Sequence, residues 1–387
     1  MNIGIPIALV LVLSLGYRIF TKNMFENYIY SFLLLLFTIF LFLGSLYSGA
    51  PSYGQQKSFT LLIFIVLAAC VAKFVILNIK SFLIFNLFFF ALFMVAYFSF
   101  YGTFGGVLRM TLAATERGEV GGEVFSVIST SQYIGFNLIG LFFILSYLKV
   151  STTTRYIIFS ILFAFGFTMM VLFASKGPIL SLIMAPLVFI LLHKRISAQK
   201  VTFLLFTILG MGFLLLYPEN IIQLIPIKYQ DFFESRFFNY AHYVNGGRPY
   251  LLKLAISDIE QKSLLFGKGT GNFGFLLLHK DIKVYPHNIF IELIYENGIF
   301  GLLFFIYILS KHLFVKRQFN GLYETNTYLK ILVYYFLFCS QVSGDLANNY
   351  AIFVFLILLD YHVQHEARMS NILRMIKYYF QRMHIAV

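Results

Sequence analysis

The chain has 387 residues, 60% of them hydrophobic and only 12% charged, where a soluble domain carries about 25% charged residues. Its mean hydropathy is +0.83, which excludes a string of soluble domains and points to an all-α, polytopic membrane protein. The net charge of +13 does not indicate nucleic acid, because no basic stripe falls on a soluble segment; basic residues in membrane proteins mostly record topology. In chain order, apolar runs long enough to span a bilayer, about 20 residues each, fall near 2–17, 28–47, 58–77, 81–101, 128–148, 156–174, 178–192, 201–217, 288–310, 327–343 and 346–365. That makes about eleven spans in a single integral membrane domain, 1–387. The first run has no basic residue before it and is followed by Arg18 and Lys22, the reverse of a signal peptide, so it reads as a retained helix with its N-terminus outside. The third is the weakest, being interrupted by Lys73 near its end, where the stem can snorkel. Cys70 and Cys339 both sit in apolar runs and read as packed small hydrophobes.

Sidedness follows from the basic residues. One alternate set of connections, running from Arg18 to Arg382, holds 17 of the 29 lysines and arginines. The opposite set holds four in short connections, Lys57, Arg109, Arg117 and Lys176, and the remaining eight lie in residues 218–286. Long loops translocate regardless of charge. The bias therefore places the C-terminus and a basic tail, 366–387, in the cytoplasm, and residues 218–286 outside as one large extracytoplasmic loop. That loop mixes aromatic, charged and glycine residues, a composition suited to short helices on the membrane surface.

Several outer positions could carry chemistry. Lys176, in Ala174-Ser175-Lys176-Gly177-Pro178, sits at a tight outer turn and reads either as a snorkelling lysine or as a cation aimed at an anionic headgroup. Arg236 lies in Glu234-Ser235-Arg236, and Arg248 follows Gly246-Gly247 just before Pro249. A guanidinium at a helix N-terminus suits a diphosphate. Gly269 to Gly274 spells GxGxxG, yet no βαβ unit surrounds it, so it reads as a tight turn near the membrane and not as a dinucleotide site. In Tyr285-Pro286-His287-Asn288, Asn288 is a suitable N-cap for the next span and holds His287 at its outer mouth. Glu292 and Glu296 share one helix face and need a partner or a wet cavity, while Gly298 and Gly301 offer a small-residue surface for close helix contact.

Taken in order, these pieces resemble the O-antigen polymerase and O-antigen ligase superfamily of bacterial membrane glycosyltransferases. The resemblance rests on Ser175-Lys176-Gly177, on Gly247-Arg248 followed by Leu265-Phe266-Gly267-Lys268-Gly269, and on His287-Asn288 followed by Glu292, Gly298 and Gly301. It covers residues 175–301 and matches the earlier spans only in general character. It implies a multispan, GT-C-like architecture in the bacterial inner membrane and a donor glycan on undecaprenyl diphosphate, with no cofactor and no metal. By the same resemblance, Arg248 and His287 are the catalytic pair, and Lys176, Arg248 and Arg236 bind the diphosphate. Arg236 is included by proximity, and Lys176 stands where the family usually has arginine, so it keeps the charge but loses the bidentate fork. Glu292 and Asn288 support the site.

The implied activity is that of a polymerase joining lipid-linked repeat units with inversion, a lean that rests on family size and the Phe/Tyr/Lys-rich composition. The alternative is a ligase that moves finished glycan to lipid A–core. A flippase for lipid-linked sugars is a third reading, which would place charges deep in several spans. The same resemblance implies a flippase and a chain-length regulator as pathway partners, besides membrane lipid.

Overall fold

The computed structural model describes residues 25–101, 127–147, 151–172, 176–193, 205, 208–209, 230, 248–259, 264–313 and 323–385. Among these there is no strand. The helices are α1 (Phe25–Ser45), α2 (Pro51–Leu77), α3 (Ile79–Tyr101), α4 (Val127–Tyr147), α5 (Thr152–Leu172), α6 (Lys176–His193), α7 (Arg248–Ile259), α8 (Phe273–Leu278), α9 (Ile289–Leu313), α10 (Tyr323–Cys339) and α11 (Ala351–Ile385). Four stretches are long and apolar enough to cross a membrane: Pro51–Leu77, Ile128–Leu145, Thr153–Val171 and Ile289–Leu313. Tyr30–Ser45, Ile79–Leu92 and Lys176–Leu192 are shorter apolar helices. The chain is thus a helical membrane protein. The expected spans at 2–17 and most of 201–217 lie outside the described residues, as does Arg236.

The centre of the bundle is α10, which packs on α6, α11 and α4. Tyr328, Leu329, Leu332, Val333 and Tyr335 are buried along it. A helix covered by protein on every side need not have a lipid-like composition, which accounts for the buried Thr325, Thr327 and Lys330 in its first turns. Around it α2 packs on α1 and α11, and α9 packs on α1. Phe37 of α1 meets Phe304 and Phe305 of α9 and Phe353 of α11 at ring separations of 5.4, 6.2 and 6.0 Å.

Three sequence expectations are corrected. Lys57 belongs to the second turn of α2 and not to a connection, and it is 1% exposed, because the carboxylates it meets replace its water. The span expected at 346–365 begins at Ala351; residues 340–350 form turns held by Asn349, whose side chain donates to the carbonyls of Ser343 and Asp345. Residues 366–385 of the basic tail continue α11 without interruption. Gly298 is no smooth helix contact: its φ of 67° and ψ of −168° break α9.

The break is accommodated by the glycine-rich loop. Interrupting α9 at Gly298 frees the carbonyls of Tyr295 and Glu296 and the N–H groups of Ile299 and Phe300 from their i−4 pairing. The N–H groups of Lys268 and Gly269 donate to Tyr295 O and Glu296 O at 3.0 and 2.8 Å, while Ile299 and Phe300 donate to Leu264 O and Leu265 O at 2.9 and 3.4 Å. Gly267, Gly269 and Gly271 all adopt positive φ. A Cβ on Gly269 would fall 2.6 Å from Ser48 Cα, so the loop seats directly on the α1–α2 turn. The same turn is held by Asp281, whose carboxylate accepts from the N–H groups of Ser52 and Tyr53 at 2.7 and 2.9 Å and so caps α2 with a negative charge at its positive end.

Candidate active site

The start of α9 is built by Asn288, whose Oδ1 accepts from the N–H groups of Phe290 and Ile291 at 3.1 Å each, as an N-cap should. This leaves His287 just outside the helix with φ 60°, a left-handed conformation costing about 1–3 kcal/mol for a non-glycine residue. Its ring stands edge-on to Tyr285 at 4.5 Å. Its Nδ1 is buried and has no hydrogen-bond partner within the protein. Burial first, and then the Arg248 guanidinium, lower its pKa to about 4, with Asp345 opposing them. The imidazole is therefore neutral at pH 7, with an unused nitrogen. Tyr285 is pushed up to about 12 by burial, then by Asp345 and Glu292, with Arg248 opposing.

The charge of Arg248 acts on both rings. Arg248 opens α7, which packs along α9 through Ala255, Phe273 and Tyr295, with Leu251 and Ile291 at the margin. The other end of α7 is fixed by the pairing of Asp258 with Lys268.

Beneath His287 lies a buried ionic cluster that sequence reasoning anticipated only in half. Glu292 and Glu296 do share a face, and both meet the Lys57 ammonium, Glu296 at 2.6 Å. Glu292 also accepts from Leu346 N at 3.1 Å. Its neighbour Asp345 accepts from the Tyr53 hydroxyl and from Asn348 N, the latter at 2.8 Å. One oxygen of each glutamate, Glu292 Oε2 and Glu296 Oε1, is buried without a partner. Below them Thr270 Oγ1 lies 2.7 Å from Leu41 O and 2.9 Å from Asn297 Oδ1. One hydroxyl proton cannot serve both acceptors. With the Asn297 amide turned to donate through Nδ2, the hydroxyl accepts from it and donates to Leu41 O.

Lys176 occupies the first position of α6. A Cβ on its neighbour Gly177 would come 2.4 Å from Val342 Cγ2, and Ser340, two residues earlier, accepts from Ile289 N at 3.2 Å. The α6 start thus adjoins the turn that supports His287. The structure brings His287, Arg248, Glu292 and Asn288 together and sets Lys176 at the same end of the bundle.

Lys57, Tyr53, Asp345 and Tyr285 are the residues sequence reasoning missed. Tyr53 and Lys57 are four apart on one helix face, and Asp345 is a lone acid between apolar runs; these were the available signals. Among the described residues, no group of three His, Cys, Asp or Glu side chains could hold a metal ion.

No curated protein and no solved structure matches the chain. Residues 140–306 match the family described as O-Antigen ligase, a segment running from the middle of α4 into the second half of α9. It takes in Lys176, Arg236, Arg248, His287, Asn288 and Glu292 but neither Lys57 nor Asp345. Over residues 140–306 this match supports the resemblance to the O-antigen ligase and polymerase superfamily.

Proposed function

We propose that the protein is a glycosyltransferase that joins oligosaccharide repeat units carried on undecaprenyl diphosphate at the outer face of the bacterial inner membrane. The observation that carries this reading is the unpartnered Nδ1 of His287, in a ring that burial and the Arg248 charge keep neutral. An acceptor hydroxyl placed against that nitrogen donates its proton to it as the oxygen attacks the anomeric carbon. The new C–O bond forms as the bond from that carbon to the diphosphate oxygen breaks, and the lipid diphosphate leaves. Arg248 stands ready for the growing negative charge, with its fork suited to two phosphate oxygens; Lys176, at the same end, adds a point charge. Glu292 is held by Lys57 and Leu346 N, which supports a positioning role for it and not a reacting one.

A second reading, suggested by the description of the matching family, is a ligase in which the same chemistry transfers finished glycan to lipid A–core. Gene deletion followed by glycan gels separates the two. Loss of a polymerase leaves a single repeat unit on the acceptor and no ladder, whereas loss of a ligase leaves glycan on undecaprenyl diphosphate and none on lipid A–core. A flippase defect traps single units on the cytoplasmic face. Arg248→Ala and His287→Ala are each expected to abolish glycan transfer with normal membrane insertion; normal ladders from both would overturn the assignment.

A further inference from the structure

Leu264, Leu265 and Phe266, the turn that enters the glycine-rich loop, are 54%, 54% and 57% exposed. The Phe266 ring packs on Phe300 of α9 at 5.2 Å, and its carbonyl accepts from the Tyr47 hydroxyl at 2.8 Å. Leu43 and Leu46 of α1 and its following turn, and Phe300 and Leu303 of α9, also expose their apolar side chains. The turn therefore continues the apolar outer surface of α9, a helix long and apolar enough to cross a membrane.

Irregular backbone survives in hydrocarbon only where its polar groups are paired within the protein. That requirement is met here: each of the four groups freed by the break at Gly298 is paired with the segment 264–269. The carbonyls of Tyr295 and Glu296 lie inside the protein and need partners in any setting, whereas Phe300 lies at the apolar outer surface, where lipid supplies no partner for its N–H. An aqueous loop would not turn three large apolar side chains outward.

We propose that residues 264–266 form a re-entrant wedge immersed in the acyl chains of the leaflet adjoining the candidate site. Lys268, two residues beyond, pairs with Asp258 and lies 5.6 Å over the Tyr295 ring. The wedge thereby anchors the C-terminal end of α7, whose 12 residues extend about 18 Å to Arg248. On the functional reading above, which this consequence rests on, the wedge holds Arg248 at the depth where a lipid-borne diphosphate lies. The insertion itself is independent of that reading.

The test uses the full chain with Cys70→Ser, leaving the wholly buried Cys339 in place. Phe266→Cys carries an environment-sensitive fluorophore in vesicles of phosphatidylethanolamine and phosphatidylglycerol. Quenching by brominated acyl chains should be several times stronger than at an exposed loop position, Lys280→Cys, and quenching by aqueous iodide correspondingly weaker. Leu264→Cys provides a second site should Phe266→Cys fail to fold. Iodide quenching equal to that at position 280, or shielding from both quenchers as under a protein partner, would overturn the proposal. Depth is read without any turnover, so a failure of the glycosyltransferase reading leaves this result standing.

Discussion

At the residue scale, the behaviour of His287 sets a pH dependence. Its pKa of about 4 lies below the ordinary histidine value of 6.5. The folded protein therefore keeps the imidazole neutral while the unfolded chain protonates it, between about pH 4 and pH 6.5. The associated stability is fully present above pH 6.5 and is lost as pH falls towards 4. For transfer that needs the neutral ring, the acid limb of the rate profile should fall near pH 4 and not near 6.5. Arg248→Gln removes a charge that lowers this pKa, so it should move the acid limb upward in whatever activity survives. Imidazole titration followed by NMR reads the same shift without turnover. Lys57 is the other residue whose removal is diagnostic. Lys57→Met would leave two buried carboxylates facing each other, an outcome expected to cost about 3–5 kcal/mol. Adding Glu296→Gln should recover part of that loss, and chemical unfolding in detergent measures both. The pairing itself was not legible in the sequence. Two glutamates four apart announce the need for a partner, but a lysine more than 200 positions away carries no local mark of being that partner.

At the element scale, what could be read from the sequence was whatever depends on neighbours along the chain. Asn288 behaves as the cap its position implies, and Arg248 opens a helix after Gly246-Gly247 as expected. The GxGxxG stretch is a close-packed turn, as the absence of a surrounding βαβ pattern suggested. The break at Gly298 was not legible, because Glu-Asn-Gly-Ile-Phe-Gly also fits an uninterrupted membrane helix with a small-residue face. Only the four hydrogen bonds from 264–269 make interruption affordable, and they come from a different part of the chain. Gly298→Ala tests this account. The φ of 67° with extended ψ is essentially a glycine conformation, and a Cβ there would lie 2.2 Å from Leu265 O. The substitution should destabilise the protein by at least about 2 kcal/mol, seen as a lower Tm in nanodiscs. A neutral effect would mean that α9 can straighten and that the loop pairing is dispensable.

At the scale of the whole molecule, the bundle has two chemically different ends. One gathers His287, Arg248, Tyr285, Asp345, Tyr53 and the Lys57–Glu292–Glu296 cluster, with the start of α6 beside it. At the other, Tyr30 donates to Ile308 O at 2.9 Å, and His312 Nε2 lies 2.8 Å from Asp360. The basic-residue bias expects the first end outside and the second in the cytoplasm. Among the described residues, Arg248, His287 and Lys176, from the expected outer connections, lie at the first end, but contacts within a protein carry no information about which side of a membrane they face. Chemical labelling does. With Cys70→Ser as background, Lys280→Cys, exposed at the His287 end, should react in intact cells with a maleimide that cannot cross the membrane. Arg368→Cys, exposed on α11 beyond Asp360, should react only after permeabilisation. The reverse pattern would put the site on the cytoplasmic side. There it could not meet glycan already carried across, and both the polymerase and the ligase readings would fall with the topology.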